Sequence, residues 1–177
     1  MKQKSIKDNI RNYFFTNPSA RLRVRGIERE LKLPLPSVIR YCKELEKEGI
    51  LKTAKTDKVV FYTTDRTNGK YVLEKRLFNI RQIYDSGLVD YIKDALNNPP
   101  IVLFGSYAKG EDTEESDIDL YIETPSKKSH DFNKFEKILK RKIQAIISDD
   151  ITKMKNIHLA NNIINGITLN NYIEVFR

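Results

Sequence analysis

The sequence has little of what builds crosslinked or metal-stapled folds. Cys42 is the only cysteine, so no intramolecular disulfide can close, and His130 and His158 are the only histidines, so there is no Cys/His set for structural zinc. Any metal would need carboxylate ligands. No apolar run approaches the roughly 20 residues that span a bilayer. The start, Met1-Lys2-Gln3-Lys4-Ser5, leads into no signal-like hydrophobic segment, so the expected location is the cytoplasm, with no membrane partner. Internal repeats and low-complexity tracts are also missing. What is there suffices for packed cores: 40% hydrophobic residues with 10% aromatics is too apolar a mixture for a disordered chain.

Charge divides unevenly along the 177 residues. The 32 basic and 24 acidic side chains give a formal +8. Residues 1–66 hold 16 basic and 8 acidic groups, whereas residues 67–177 hold 16 of each, so the whole excess sits in the first third. This predicts a polyanion-binding module followed by a neutral module with other work.

In the basic third, Ile6, Ile10, Tyr13 and Phe14 recur at helical spacing until Asn17-Pro18-Ser19 breaks the pattern. A second stripe runs through Val24, Ile27 and Leu31 and closes at Leu33-Pro34-Leu35, with Leu35 at the cap position and Pro36 as the first residue of a third helix. That helix is expected to turn Val38, Ile39, Cys42 and Leu45 inward and to end near Gly49. Ile50-Leu51-Lys52 and Val59-Val60-Phe61-Tyr62 read as two strands joined by a charged turn from Ala54 to Lys58. Over residues 4–64 this order resembles the winged helix-turn-helix DNA-binding domains, most clearly from Pro36 to Leu51. It departs from them at Leu35, where Ser or Thr normally caps the helix. The resemblance implies that Ser37, Arg40, Tyr41 and Lys43 lie near double-stranded DNA, and that Lys55 and Lys58 meet phosphates. Arg21, Arg23 and Arg25 add three guanidiniums suited to phosphate. The same domains can also serve as protein-protein modules.

The polar stretch Thr63–Gly69 places a boundary near residue 66, giving domains 1–66 and 67–177, the second divided into leading helices (67–98) and a catalytic-type core (99–177). Leu73, Leu77, Ile80 and Tyr84 mark one leading helix. Leu88, Val89, Ile92 and Leu96 mark another, stopped by Asn97-Asn98-Pro99-Pro100.

The chemistry is concentrated in the core that begins after these prolines. Ile101-Val102-Leu103-Phe104 reads as a buried strand feeding the tight turn Gly105-Ser106. After Tyr107-Ala108-Lys109-Gly110 and a polar loop comes Ser116-Asp117-Ile118-Asp119-Leu120-Tyr121-Ile122. Strand alternation puts Asp117 and Asp119 on one face and Ile118, Leu120 and Ile122 on the other. Paired carboxylates repel each other unless a cation sits between them, and oxygen ligands of this kind suit Mg²⁺. Gly105 lets backbone approach a ligand, and Ser106 at a helix start can bind phosphate.

Gly-Ser, ten intervening residues and Asp-x-Asp resemble the polymerase-β-like nucleotidyltransferase superfamily, in particular its minimal branch. The resemblance implies that Gly105, Ser106 and Lys109 contact a nucleoside triphosphate, and that Asp117 and Asp119 are the catalytic pair holding Mg²⁺ or Mn²⁺. Active members carry a third carboxylate on a following strand, which here would be Lys142–Ile147; this chain offers Gln144. Asp149 and Asp150 lie too far along that strand to replace it, and Asp150 is expected to cap the next helix. That helix carries Met154, Ile157 and Ile164 and stops at Asn165-Gly166. Ile167-Thr168-Leu169 and Tyr172-Ile173-Glu174-Val175 are expected to form a closing hairpin around Asn170-Asn171. His158 reads as structural or surface and His130 as loop.

The expected fold is therefore α/β (α+β): an N-terminal winged helix plus a polymerase-β-like nucleotidyltransferase fold, with a mixed sheet flanked by helices. Two functions remain open. One is transfer of a nucleoside monophosphate to an unidentified acceptor. The other is a DNA-binding transcription regulator whose second domain binds nucleotide without turnover. The resemblance also implies an antitoxin-like role with a toxin or other protein as partner, and a homodimer on DNA is left open.

Overall fold

A computed structural model describes residues 5–126 and 130–176. The chain divides into two compact units, Met1–Phe78 and Asn79–Arg177.

In the first unit, α1 (Ile6–Thr16) starts where Ser5 accepts a hydrogen bond from the Asp8 N–H at 3.1 Å, and it buries Ile10, Phe14 and Phe15. Helix α2 (Val24–Leu31) ends at Lys32 in the left-handed region, φ 52°. Helix α3 (Leu35–Lys47) includes Leu35 as its first residue; Pro34 holds the cap position, and no side chain bonds the free N–H groups. Val38, Cys42 and Leu45 point inward, but Ile39 is 40% exposed, because one residue further turns it about 100° off the buried stripe. Cys42 is packed into the core, and burial pushes its thiol up to about 12. Strands β1 (Leu51–Thr56) and β2 (Val59–Thr64) pair antiparallel, so the expected turn from Ala54 to Lys58 shrinks to Asp57 (φ 55°) and Lys58. Lys55 consequently lies in β1, opposite Val60. Leu22 bridges Tyr62 through two backbone hydrogen bonds of 3.0 and 2.8 Å, adding a short third lane to this sheet.

Helix α4 (Gly69–Asp85) corrects the expected inward stripe. Leu73 and Leu77 are 54% and 52% exposed, whereas Tyr71, Lys75, Asn79 and Ile83 are buried. The buried positions recur every four residues, as a packed helix face requires, but two of them are polar and escape an apolar count.

The second unit continues with α5 (Leu88–Ala95), β3 (Ile101–Phe104), α6 (Gly105–Lys109), β4 (Ile118–Glu123), α7 (Asn133–Leu139) and β5 (Ile143–Ser148). A 3₁₀ turn (Ile151–Lys153), α8 (Ile157–Ile164) and β6 (Ile167–Asn170) complete it. The sheet order is β5-β4-β3-β6, with β4 and β5 parallel and the other pairs antiparallel. It is a mixed sheet covered on both faces. Leu103, Ile118, Leu120 and Ile122 join Leu88, Ile92, Tyr107 and Phe135 in one core, while Val102, Phe104 and Tyr121 join Ile151 and Ile163 in the other. Strand alternation explains the division.

Two expectations near the C-terminus fail. The helix expected to carry Met154 starts later, because Asn156 caps it and α8 begins at Ile157, so Met154 precedes it; within α8 Ile163 is buried and Ile157 and Ile164 are exposed. The closing hairpin does not form. Strand β6 pairs with β3 instead, and the side chains of Asn170 and Asn171 donate to Pro99 O (2.7 Å) and Asn98 O (2.6 Å), holding the chain where a second strand would begin. Residues 171–176 have no regular structure.

Phe14→Ala is expected to cost about 3–5 kcal/mol through a cavity in the first core. Urea unfolding followed by circular dichroism checks this, and an unchanged midpoint would contradict the central place given to Phe14.

Candidate active site

The β3–β4 register sets Phe104 opposite Asp119, so the carboxylate of Asp119 lies against the residue after β3. That residue is Gly105, with φ +73°, and a Cβ there would collide with Asp119 Oδ2. Glycine is required twice over, by its backbone conformation and by the close approach. Gly105 and Ser106 form the first turn of α6, whose cap residue Phe104 supplies no side-chain bond. Lys109 ends the same helix, exposed, and Gly110 stops it at φ +76°.

Asp117 is exposed just before β4, and Asp119 is half-buried within it. Burial and then the charge of Asp117 hold the Asp119 carboxyl above the usual carboxylate range. Ile118 is fully buried between them, which fixes the direction of both carboxylates. On the other side of Asp119, the parallel β4–β5 register places Gln144. Asp149 ion-pairs with Lys153 at 2.7 Å, and Asp150 caps the 3₁₀ turn through Thr152 N–H at 2.8 Å, so neither stands in for a third carboxylate. Among the described residues no group of three or more His, Cys, Asp or Glu side chains is placed so that it could hold a metal ion. The donors at hand are two carboxylates and an amide, all oxygen donors. Together with the electrostatic strain on Asp119, they fit a hard divalent cation.

A buried polar cluster behind this pair is not visible in the sequence. Asp112 stands beside Glu111 in a polar loop, yet its side chain is fully buried. Its Oδ1 accepts from Asn79 Nδ2 at 2.7 Å, and Arg141 Nη2 lies 3.7 Å from its Oδ2. Asn79 Nδ2 also donates to Tyr107 O at 2.9 Å. Burial, and then the charge of Asp112, pushes the Tyr107 hydroxyl well above its ordinary value. This cluster ties α6, the loop leading to Asp117 and the segment leading to β5 together. No periodicity or spacing marks it in the sequence, because each member lies on a different element.

The residues expected at DNA are not gathered in one place. On α3, Arg40 hydrogen-bonds the Tyr41 hydroxyl, stacks over its ring at 4.3 Å and approaches Glu44 at 3.6 Å. Ser37 is half-buried and Lys43 exposed on the same helix. Arg21 and Arg23 lie over the Phe61 ring, 5.8 and 5.4 Å from its centre. Phe61 and Ala54 share the hairpin face opposite to that of Tyr62 and Thr53, and Thr53 donates to Glu46 of α3. The two arginines therefore occupy the hairpin face turned from α3. Arg25 is in the first turn of α2, and Lys55 and Lys58 are exposed in β1 and at its turn.

A mixed sheet flanked by helices, with Gly-Ser opening a helix beside Asp-x-Asp, is the architecture of a nucleotidyltransferase domain. Residues 86–167 match the nucleotidyltransferase domain family, and the chain belongs to that family. A relative from Methanocaldococcus jannaschii, named "Putative protein adenylyltransferase", is 42% identical over 69 residues, covering 38% of this chain and 68% of the relative. No solved structure matches. Nucleotidyltransferase domains generally use a nucleoside triphosphate and divalent metal. Among the described residues, no helix is long and apolar enough to cross a membrane.

Because the folded carboxyl of Asp119 titrates above its unfolded value, its ionised form opposes folding at neutral pH, and that penalty disappears as pH falls below the ordinary carboxylate range. Asp119→Asn should therefore raise Tm at pH 7, with the gain vanishing toward pH 3. Millimolar Mg²⁺ should raise Tm of the unsubstituted protein and not of the variant; equal shifts would count against a cation between the aspartates.

Proposed function

We propose that this protein transfers a nucleoside monophosphate from a nucleoside triphosphate to an acceptor, and that its first unit is a winged helix-turn-helix that binds double-stranded DNA. The observation that carries the first part is the Asp119 carboxylate lying against Gly105, with Asp117 beside it and Ser106 next in the chain. Gly105 and Ser106 orient the phosphates, and Lys109 adds a cation at the end of the same helix. Asp117 and Asp119 hold Mg²⁺ or Mn²⁺, which when bound neutralises charge on the triphosphate. The relative's name supports a protein as acceptor. Three helices followed by the β1–β2 hairpin, with Leu22 bridged to Tyr62, support the winged-helix reading of the first unit. In that reading Arg40, Tyr41, Lys43 and Ser37 of α3 face the groove, while Lys55, Lys58, Arg21, Arg23 and Arg25 serve the phosphates.

A second reading rests on Gln144, which stands beside Asp119 where an active site would have another carboxylate. A neutral amide takes no proton from an attacking hydroxyl at neutral pH. The second unit would then bind nucleotide without turnover, and the protein would act as a DNA-binding regulator.

Incubation with Mg²⁺, an α-labelled triphosphate and cell extract separates the two. Transfer predicts label on an acceptor, lost at least 100-fold in Asp119→Ala; label that persists in this variant would sink the assignment. Binding without turnover predicts calorimetric heat but no label, with Gln144→Asp gaining transfer.

For the DNA-binding part, Arg40→Ala should weaken binding about 10-fold in a titration at fixed salt. Unchanged affinity would remove α3 from the interface.

A further inference from the structure

A cleft of about 420 Å³ opens beside Asp117. It is lined by two segments, the loop Glu114–Asp117 and helix α7 with the residues leading into β5, including Lys137, Lys140 and Lys142. Gly105, Ser106 and Asp119 do not line it. In the sheet, β5 flanks β4 on one side and β3 flanks it on the other, so the cleft lies on the β5 side of the aspartates, whereas Gly105-Ser106 come directly after β3. An in-line displacement keeps the attacking and leaving oxygens apart. With pyrophosphate leaving on the Gly-Ser side, the β5 side is the one open to an acceptor.

The charges of the cleft define what it accepts. Arg141 is engaged by Asp112, and Lys142 is held by Glu136 at 3.0 Å, while Glu136 also accepts from the Ile143 N–H. Lys137 and Lys140 are exposed and have no acidic partner among the described residues. Across the same cleft the other segment contributes the exposed Glu115, beside Asp117. A uniformly charged nucleic-acid backbone would bring phosphates to these carboxylates as well as to the lysines. A polypeptide can place acidic side chains at the lysines and an uncharged hydroxyl near Asp117.

We propose that this cleft is the acceptor subsite and that it takes an acidic protein segment, with Lys137 and Lys140 holding carboxylates next to the accepting Ser, Thr or Tyr. The inference rests on the transfer reading of the second unit. In the reaction the hydroxyl oxygen bonds to the α-phosphorus, the bond from that phosphorus to the bridging oxygen of the α–β anhydride breaks, pyrophosphate departs and the hydroxyl proton passes to water. A cleft of this size is in the range that holds a few residues of a ligand.

The test uses the full chain with Mg²⁺, α-labelled ATP and three probes. One is a peptide with glutamates on one side only of a serine, a threonine and a tyrosine and uncharged residues on the other, the second is the same peptide with lysines in place of the glutamates, and the third is an oligoribonucleotide with a free 3′ hydroxyl. The glutamate peptide should be labelled at least 10-fold faster than the lysine peptide. The double variant Lys137→Glu with Lys140→Glu should reverse that order while binding ATP in calorimetry as the unsubstituted protein does. Equal labelling of the two peptides overturns the proposal, as does a preference that survives the double variant. Label on the oligoribonucleotide alone also overturns it, as does label on a protein of a cell extract with none on any probe, whereas ATP binding with no label on any probe or extract protein overturns the transfer reading beneath it. Failure of the unsubstituted protein to bind ATP also overturns that reading.

Discussion

The contact of Asp119 with the backbone of Gly105 sets the geometry of the second unit. It exists because β3 and β4 pair in a register that puts Phe104 opposite Asp119, and that register is held by Ile118, Leu120 and Ile122, which are all buried in one core. A slip of one residue would send the carboxylate into that core and three isoleucine and leucine side chains out of it. The apolar positions thus determine where the polar one points. The resulting desolvation, added to the charge of Asp117, leaves a carboxylate that is uncomfortable in the folded protein. A carboxylate perturbed in this way by burial and a like charge is the kind of group that marks functional sites.

Around this pair the protein spends polar groups in its interior. Asp112 and Arg141 are buried together, an arrangement whose desolvation cost is offset only when other hydrogen bonds complete it. Asn79 supplies one of them, and by reaching Tyr107 O as well it links α6 to the loop before Asp117. Hydrophobic residues of the same volume would pack there but would not fix the angle of that loop. The cluster therefore contributes to the position of the aspartates more than to stability, and it explains why the loop between Gly110 and Ser116 can be polar yet ordered.

The first unit solves a different problem. Its small core of Ile10, Phe14, Ile27, Val38 and Leu45 leaves the basic excess on the outside, distributed over α3, the hairpin and the start of α2. Arg21 and Arg23 rest on Phe61 with their charge intact, since an aromatic face attracts a cation without neutralising it. Basic groups on both sides of the hairpin give this unit more than one cationic face.

Much of the fold is legible in the amino-acid sequence. The helices of the first unit, the β1–β2 pair, the apolar β3 and the alternation that puts Asp117 and Asp119 together follow from periodicity, which reports which face of each element is buried. Gly-Ser and Asp-x-Asp can be recognised because they are local. The sequence by itself also determined that no third carboxylate occurs in β5, while only the sheet register shows that Gln144 is the residue beside Asp119. Tertiary structure alone decided the buried face of α4, the pairing of β6 with β3 in place of a hairpin, and the union of Asn79, Asp112 and Arg141. In each case the outcome depends on a partner distant in the chain. An alternating or helical pattern says which residues share a face, but not which other element, polar or apolar, will be there to meet it.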